Sequence, residues 1–122
     1  MNGKKVYALR GACRALNTRE DIETQVAALY DEILAANSLD EEDIISLIFS
    51  VTADLDALNP AAALRRSGRG PDLALFALQE AAAQSSLERV IRILLHCYLP
   101  EGQKPRHIYR NGAEVLRPDR AI

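Results

Sequence analysis

Residues 87–98 read LERVIRILLHCY, and the way this stretch folds decides what the rest of the chain can build. By spacing alone its leading part, LERVIRILL, suits an amphipathic helix as well as a strand, because a short apolar run carries no unambiguous period. Its β-branched content, Val90, Ile91 and Ile93, favours the strand: such side chains lose rotamer freedom in a helix and pack well on a pleated surface. A long strand is therefore expected over residues 90–98, and a strand needs partners.

Partners are available on both sides. Residues 44–52 are dense in Ile, Leu, Phe and Val and too short for a typical helix, which predicts a strand buried on both faces. Residues 73–78 form another apolar strand candidate, with a turn at 84–86 before the next strand. Near the start, Val6, Ala8 and Arg10 alternate with Tyr7, Leu9 and Gly11, which suits a first strand ending at the glycine. At the far end, residues 106–109 and 113–116 flank Asn111-Gly112, a hairpin signal, so two short final strands are expected there.

Helix signals fall between these segments. Thr18 followed by Asp21 resembles a capping box with Asp in place of Glu, and Ile22, Val26, Leu29, Tyr30, Ile33 and Leu34 follow at helical spacing. This predicts a helix over 19–36, closed by Asn37 and Ser38, with the acidic run Asp40 to Asp43 as a solvated turn. Asn59 then Pro60 is an N-cap followed by proline at the first helical position, which starts a short helix through about Arg66. One long helix, one short helix and a mixed sheet define an α+β fold. With 122 residues and no repeat or linker, the chain is expected to be a single domain, 1–122. A sheet of this size in so small a chain has a face or edge to cover, which suits a homo-oligomer.

Composition excludes several classes. Fifteen lysines and arginines against seventeen acidic residues leave a formal charge of −2, which gives no footprint for nucleic acid or an anionic membrane. Arg65, Arg66 and Arg69 make a basic loop, but no aromatic platform accompanies them. Cys13 and Cys97 have no CxxC spacing, which argues against a zinc site or a disulfide scaffold. No leader-like segment and no run of about 18 apolar residues is present, so a cytoplasmic location is expected.

The sharpest anomaly is Arg92, embedded in the most apolar stretch of the C-terminal half. An arginine keeps its charge, so burial there would demand an anionic partner. Three readings remain open: a structural pair with a carboxylate such as Glu80, a strand residue pointing to solvent, or an anion-binding group in a pocket. Arg10 in ALRGA and Arg117 in VLRPD sit in similar settings, and converging guanidinium forks would suit a small dicarboxylate. His96 and His107 lack a nearby acid and nucleophile and read as structural.

Taken together, LRGA at 9–12, VTADLDALNPAAALR at 51–65, LQE at 78–80, LERVIRILL at 87–95, RHIY at 106–109 and VLRPD at 115–119 resemble, in order and rough spacing, the small trimeric (AroH-type) bacterial chorismate mutases. The resemblance implies an isomerase that rearranges chorismate to prephenate in aromatic amino-acid biosynthesis with no metal or cofactor. It implies a homotrimer with a barrel-like core of sheets and a pocket between subunits. Arg92 would face the breaking ether bond and one carboxylate, and Glu80 would accept from the ring hydroxyl. Arg10 and Tyr109 would bind the side-chain carboxylate, while Arg117 and, from a neighbouring subunit, Arg65 would draw in and enclose the dianion. Asn59, Ala61, Leu75, Phe76 and Ala77 would line the pocket. Departures from the family pattern fall at Ala8, Asn59, Ala62, Phe76 and Ala77, which bear on pocket shape rather than reaction type. The tail Arg120 to Ile122 would either fray or close the pocket. A non-catalytic, dicarboxylate-binding trimer of the same fold is the alternative.

Overall fold

Residues 90–98 do form a strand. In the computed structural model, which describes residues 3–84 and 86–117, the chain runs β1 (Lys4–Arg14), α1 (Arg19–Asn37), a 3-10 turn (Glu41–Asp43), β2 (Ile44–Val51), α2 (Pro60–Arg66), β3 (Leu75–Gln79), β4 (Val90–Pro100), β5 (Ile108–Arg110) and a second 3-10 turn (Glu114–Leu116). The tail from 118 to 122, including the end of the VLRPD match, lies outside the described residues, as does Ser85 of the turn at 84–86.

The sheet has five strands in the order β3-β2-β4-β1-β5. β4 lies at its centre, antiparallel to β1 and to β2, while β3 pairs parallel with β2 and β5 parallel with β1. Both helices cover the same face. Leu9 and Cys13 of β1, Leu47 and Phe49 of β2, and Ile91, Ile93, Leu95, Cys97 and Leu99 of β4 pack there with Ile22, Val26, Leu29, Tyr30 and Ile33 of α1 in one core. Gly11 is required at this contact, since a Cβ would stand 2.8 Å from the Ile33 Cδ1 and 3.1 Å from the Ile108 carbonyl oxygen.

The capping signals hold. Thr18 Oγ1 accepts the Asp21 N–H at 3.1 Å, and Asp21 reaches back to accept the Leu16 N–H at 2.6 Å, so the reciprocal arm ends on the chain entering the helix. Ser38 ends α1 in the left-handed region at φ 50°. Asn59 Oδ1 accepts the Ala61 N–H at 2.8 Å, and Pro60 opens α2.

Four expectations are corrected. β1 does not end at Gly11 but pairs with β4 through Arg14, because the glycine serves helix packing rather than a turn. β2 is buried only toward the helices: a bulge between Ile44 and Ser46 keeps Ile44 and Leu47 on the core side and leaves Ile45 exposed. The acidic run is not merely solvated, since Glu41 accepts from the Tyr30 hydroxyl at 2.6 Å and the Gly70 N–H at 2.9 Å, and Asp43 pairs with Lys4 at 2.8 Å. Finally, residues 106–116 form no hairpin. Asn111 and Gly112 do take positive φ, 51° and 96°, but the Asn111 side chain donates to the Arg14 carbonyl at 2.7 Å. That bond docks the turn on β1, β5 takes up β1 as its parallel partner, and 114–116 coils into the 3-10 turn.

Candidate active site

With both helices on one face, the other face of the sheet is left to the even-numbered residues of β1 and β4. Register alone assembles a row across it: Leu78, Ser50, Arg92, Ala12 and Tyr109 are successive neighbours on β3, β2, β4, β1 and β5. A second row runs Phe76, Ile48, Leu94 and Arg10. Arg92 and Tyr109 therefore flank Ala12 from opposite sides, two strand spacings or about 10 Å apart along the backbone. Arg10 stands two residues along β1 from Ala12, on the same face.

Of the readings left open for Arg92, burial among its apolar flanks is not the one found. Strand alternation turns it away from Ile91 and Ile93, and its side chain is 44% exposed. It nevertheless has its anionic partner: Nε stands 2.8 Å from Glu80 Oε1, whose side chain is only 20% exposed. The carboxylate is positioned twice over. The Glu80 backbone N–H donates to the Val51 carbonyl at 2.8 Å, extending the β2–β3 ladder by one residue, and the Ser50 hydroxyl donates to Glu80 Oε1 at 3.3 Å. Beside this pair, Ala12, Val90 and Ala113 form a small buried cluster against Leu87, Tyr109 and Leu116.

Arg10, Lys104, Arg106, His107, Tyr109 and Arg117 line a cleft of about 550 Å³. Four of these are cationic and none is a carboxylate, so the cleft suits an anion. Arg10, Tyr109 and Arg117, singled out from the sequence, are thus brought together. Other candidates stand elsewhere within the chain. Asn59 and Ala77 line a separate groove between β3 and α2, Ala61 is buried in the core, and Leu75 packs against it from the helix side. Ala62 is half-buried on α2, and Ala8 is exposed on the Arg10 face of β1. Phe76 is 63% exposed on the open face, and Arg65 is exposed in the last turn of α2.

Sequence reading missed one contact here. The Arg10 backbone N–H donates to His107 Nδ1 at 2.9 Å, and burial, with the Arg10 charge second, lowers the His107 pKa from 6.5. Nothing in RHIY announces it beyond a histidine one residue ahead of a strand. Both thiols sit in the core away from these groups, and burial raises Cys13 to about 12 and Cys97 to about 11, which leaves neither as a thiolate near neutral pH. Among the described residues no cluster of His, Cys, Asp and Glu is placed to hold a metal ion, and no helix is long and apolar enough to cross a membrane.

A two-layer α+β fold whose uncovered sheet face carries an arginine–glutamate pair beside a cationic cleft has the form of an enzyme for a small anionic substrate. The chain belongs to the chorismate mutase type I family, whose profile matches residues 6–120. It is 36% identical over 119 residues to the chorismate mutase AroH of Thermus thermophilus, covering 93% of this chain and 95% of that one. To the chorismate mutase AroH of Bacillus subtilis (strain 168) it is 29% identical over 120 residues, covering 96% and 94%. Among solved structures, a chorismate mutase from Clostridium thermocellum superposes with a TM-score of 0.82 at 40% identity, over 89% of this chain and 98% of that one. The chain is accordingly an isomerase.

Proposed function

We propose that chorismate is rearranged to prephenate on the open sheet face, with Arg92 and Glu80 at the reacting atoms and Arg10, Tyr109 and Arg117 holding the substrate. The observation that carries this reading is the Arg92–Glu80 contact on the face that also presents Arg10 and Tyr109. The reaction is a cyclic shift in which one C–O bond breaks as one C–C bond forms, with no proton transferred. It asks the protein for no nucleophile and no general base.

What it asks for is a compact substrate conformer and positive charge where the ether oxygen gains electron density. Enzymic accelerations begin at about 8 kcal/mol. The rearrangement is already unimolecular, so a closed pocket saves the substrate's internal rotations rather than the entropy of bringing two reactants together, and one positioned donor to a developing oxyanion adds about 3–4 kcal/mol. Both effects act without covalent chemistry, and further positioned donors add to the second. Glu80 engages Arg92 through Nε, which leaves the Nη donors for the ether oxygen and a carboxylate, while a free oxygen of Glu80 accepts from the ring hydroxyl. Arg10 and Tyr109 bind the side-chain carboxylate, and Arg117 captures the dianion at the cleft mouth. Arg117→Ala should therefore raise KM with little change in kcat, as steady-state kinetics will show.

We further read the enzyme as a homotrimer that buries the open face and completes each pocket with a neighbour's Arg65. Supporting this, Val6, Phe76 and Leu78 are exposed on that face, and Ile48 and Leu94 are only half-buried beside them. In such an assembly Asn59, Phe76 and Ala77, which reach the surface, contribute to the pocket wall, with Ala61 and Leu75 packed behind them. Light scattering at micromolar concentration should give three times the chain mass. A stable, active monomer would contradict the shared site and remove the role of Arg65. We place the enzyme in the cytoplasm, acting as one domain, on its free buried cysteines and on a core that runs unbroken from Leu9 to Leu99.

A further inference from the structure

We propose that His107 is a positioning residue for this reaction: its neutral imidazole accepts the Arg10 backbone N–H and so fixes where Arg10 and Tyr109 stand in the anion cleft. The role rests on the assignment of Arg10 to the substrate carboxylate made above.

The geometry begins with the ladder. β1 and β5 pair only from Gly11 opposite Ile108 to Cys13 opposite Arg110. One residue before the ladder starts, the Arg10 N–H meets the His107 ring at 2.9 Å instead of a backbone carbonyl. The imidazole thus extends the β1–β5 pairing by a side chain, at the residue whose own side chain lines the cleft.

The other side of the same segment is clamped to α1. Asn37 is buried, 1% exposed, and its amide pairs reciprocally with the Arg106 backbone: Nδ2 donates to the carbonyl at 3.0 Å, and Oδ1 accepts the N–H at 2.9 Å. Asn37 Nδ2 also donates to the Ile33 carbonyl at 2.8 Å, so the clamp is tied to the helix. His107 follows directly, then β5 with Tyr109. The segment ahead of β5 is thereby held between a buried amide on α1 and the backbone of β1.

Only the neutral tautomer with its proton on Nε2 can accept at Nδ1. The surroundings select it. The Arg10 charge on β1 acts on the ring, and the cleft that His107 helps to line also carries Lys104, Arg106 and Tyr109 of its own segment, Arg117 of the C-terminal segment and the uncharged Ala36 of α1. Among the described residues that line the cleft four are cationic and none is a carboxylate, and a second proton on the ring would add a cation to them and break the bond to Arg10. Partial desolvation of the ring first, and the Arg10 charge second, lower the His107 pKa.

Steady-state kinetics on His107→Ala, His107→Asn and Arg10→Ala test the role. His107 is exposed, so truncation leaves no core cavity, and thermal unfolding checks that each variant folds. His107→Ala should raise KM about five- to tenfold, the equivalent of one hydrogen bond, with kcat within about twofold. His107→Asn, whose Oδ1 can accept the same N–H, should recover most of the loss. Imidazole ¹⁵N spectra of the wild type at neutral pH should show Nδ1 unprotonated. Wild-type KM in His107→Ala beside an impaired Arg10→Ala would overturn the positioning role alone. Equal losses in the Ala and Asn variants, or a proton on Nδ1, would overturn it too. Wild-type KM in Arg10→Ala would instead remove the substrate assignment of Arg10, and this role with it.

Discussion

Replacing Arg92 by lysine should lower kcat by about 10²-fold or more, in keeping with loss of a positioned oxyanion stabiliser, while KM changes much less. Lysine keeps the unit charge but loses the planar fork. In the wild type one edge of that fork is committed to Glu80, 2.8 Å away, and the Nη donors remain for substrate. A lysine ammonium can pair with the same carboxylate but cannot also present a second, fixed set of donors to the ether oxygen. A contact that tightens only as the oxygen gains charge contributes to the transition state and not to the ground state, so its loss falls on kcat. Circular dichroism and particle mass must show that the variant folds and assembles. A folded Arg92→Lys enzyme with wild-type kcat would sink the electrostatic mechanism while leaving the fold intact.

The largest effect on stability is expected at Phe49. It lies on β2 opposite Ile93 of β4, fully buried on the helix face of the sheet. Phe49→Ala removes a ring from the layer that joins sheet to helices and should cost about 3–5 kcal/mol. Domains of this kind are stable by only about 5–15 kcal/mol, so the variant should unfold at much lower denaturant and temperature than the wild type. Comparison belongs at one fixed protein concentration, because subunit association adds to apparent stability. Phe49 and the site lie on opposite faces of the sheet. The fraction that remains folded should therefore keep its KM, and a large KM change without loss of stability would show that the two faces are coupled.

Much of the fold was legible because its signals are local. The Thr18–Asp21 cap and the spacing from Ile22 to Leu34 specify α1 to within a residue. Asn59-Pro60 does the same for α2, and the branched side chains of 90–93 mark the start of β4. What escaped was set by pairing across the chain. Asn111-Gly112 turns as expected, but whether 106–110 pairs with 113–116 or with β1 depends on Arg14, nearly a hundred residues earlier. The direction of Arg92 stayed open because apolar residues stand on both sides of it in sequence. The even face of β4 also carries Val90 and Leu94, which hides the alternation that turns Arg92 outward. The charged site residues could be named from the family resemblance, yet His107 could not, because its part depends on where β5 begins.

The central claim is that this chain rearranges chorismate through positioned charge, with no metal and no reactive thiol. It is tested most directly by following chorismate consumption by absorbance in the presence of EDTA, after treatment with an alkylating agent. Cys13 and Cys97 are both buried, with burial raising their pKa values to about 12 and about 11, so alkylation should find no thiolate at the site. The expected result is saturable conversion of chorismate to prephenate at the untreated rate. Absence of turnover in the untreated protein, or its abolition by the chelator, would contradict the claim.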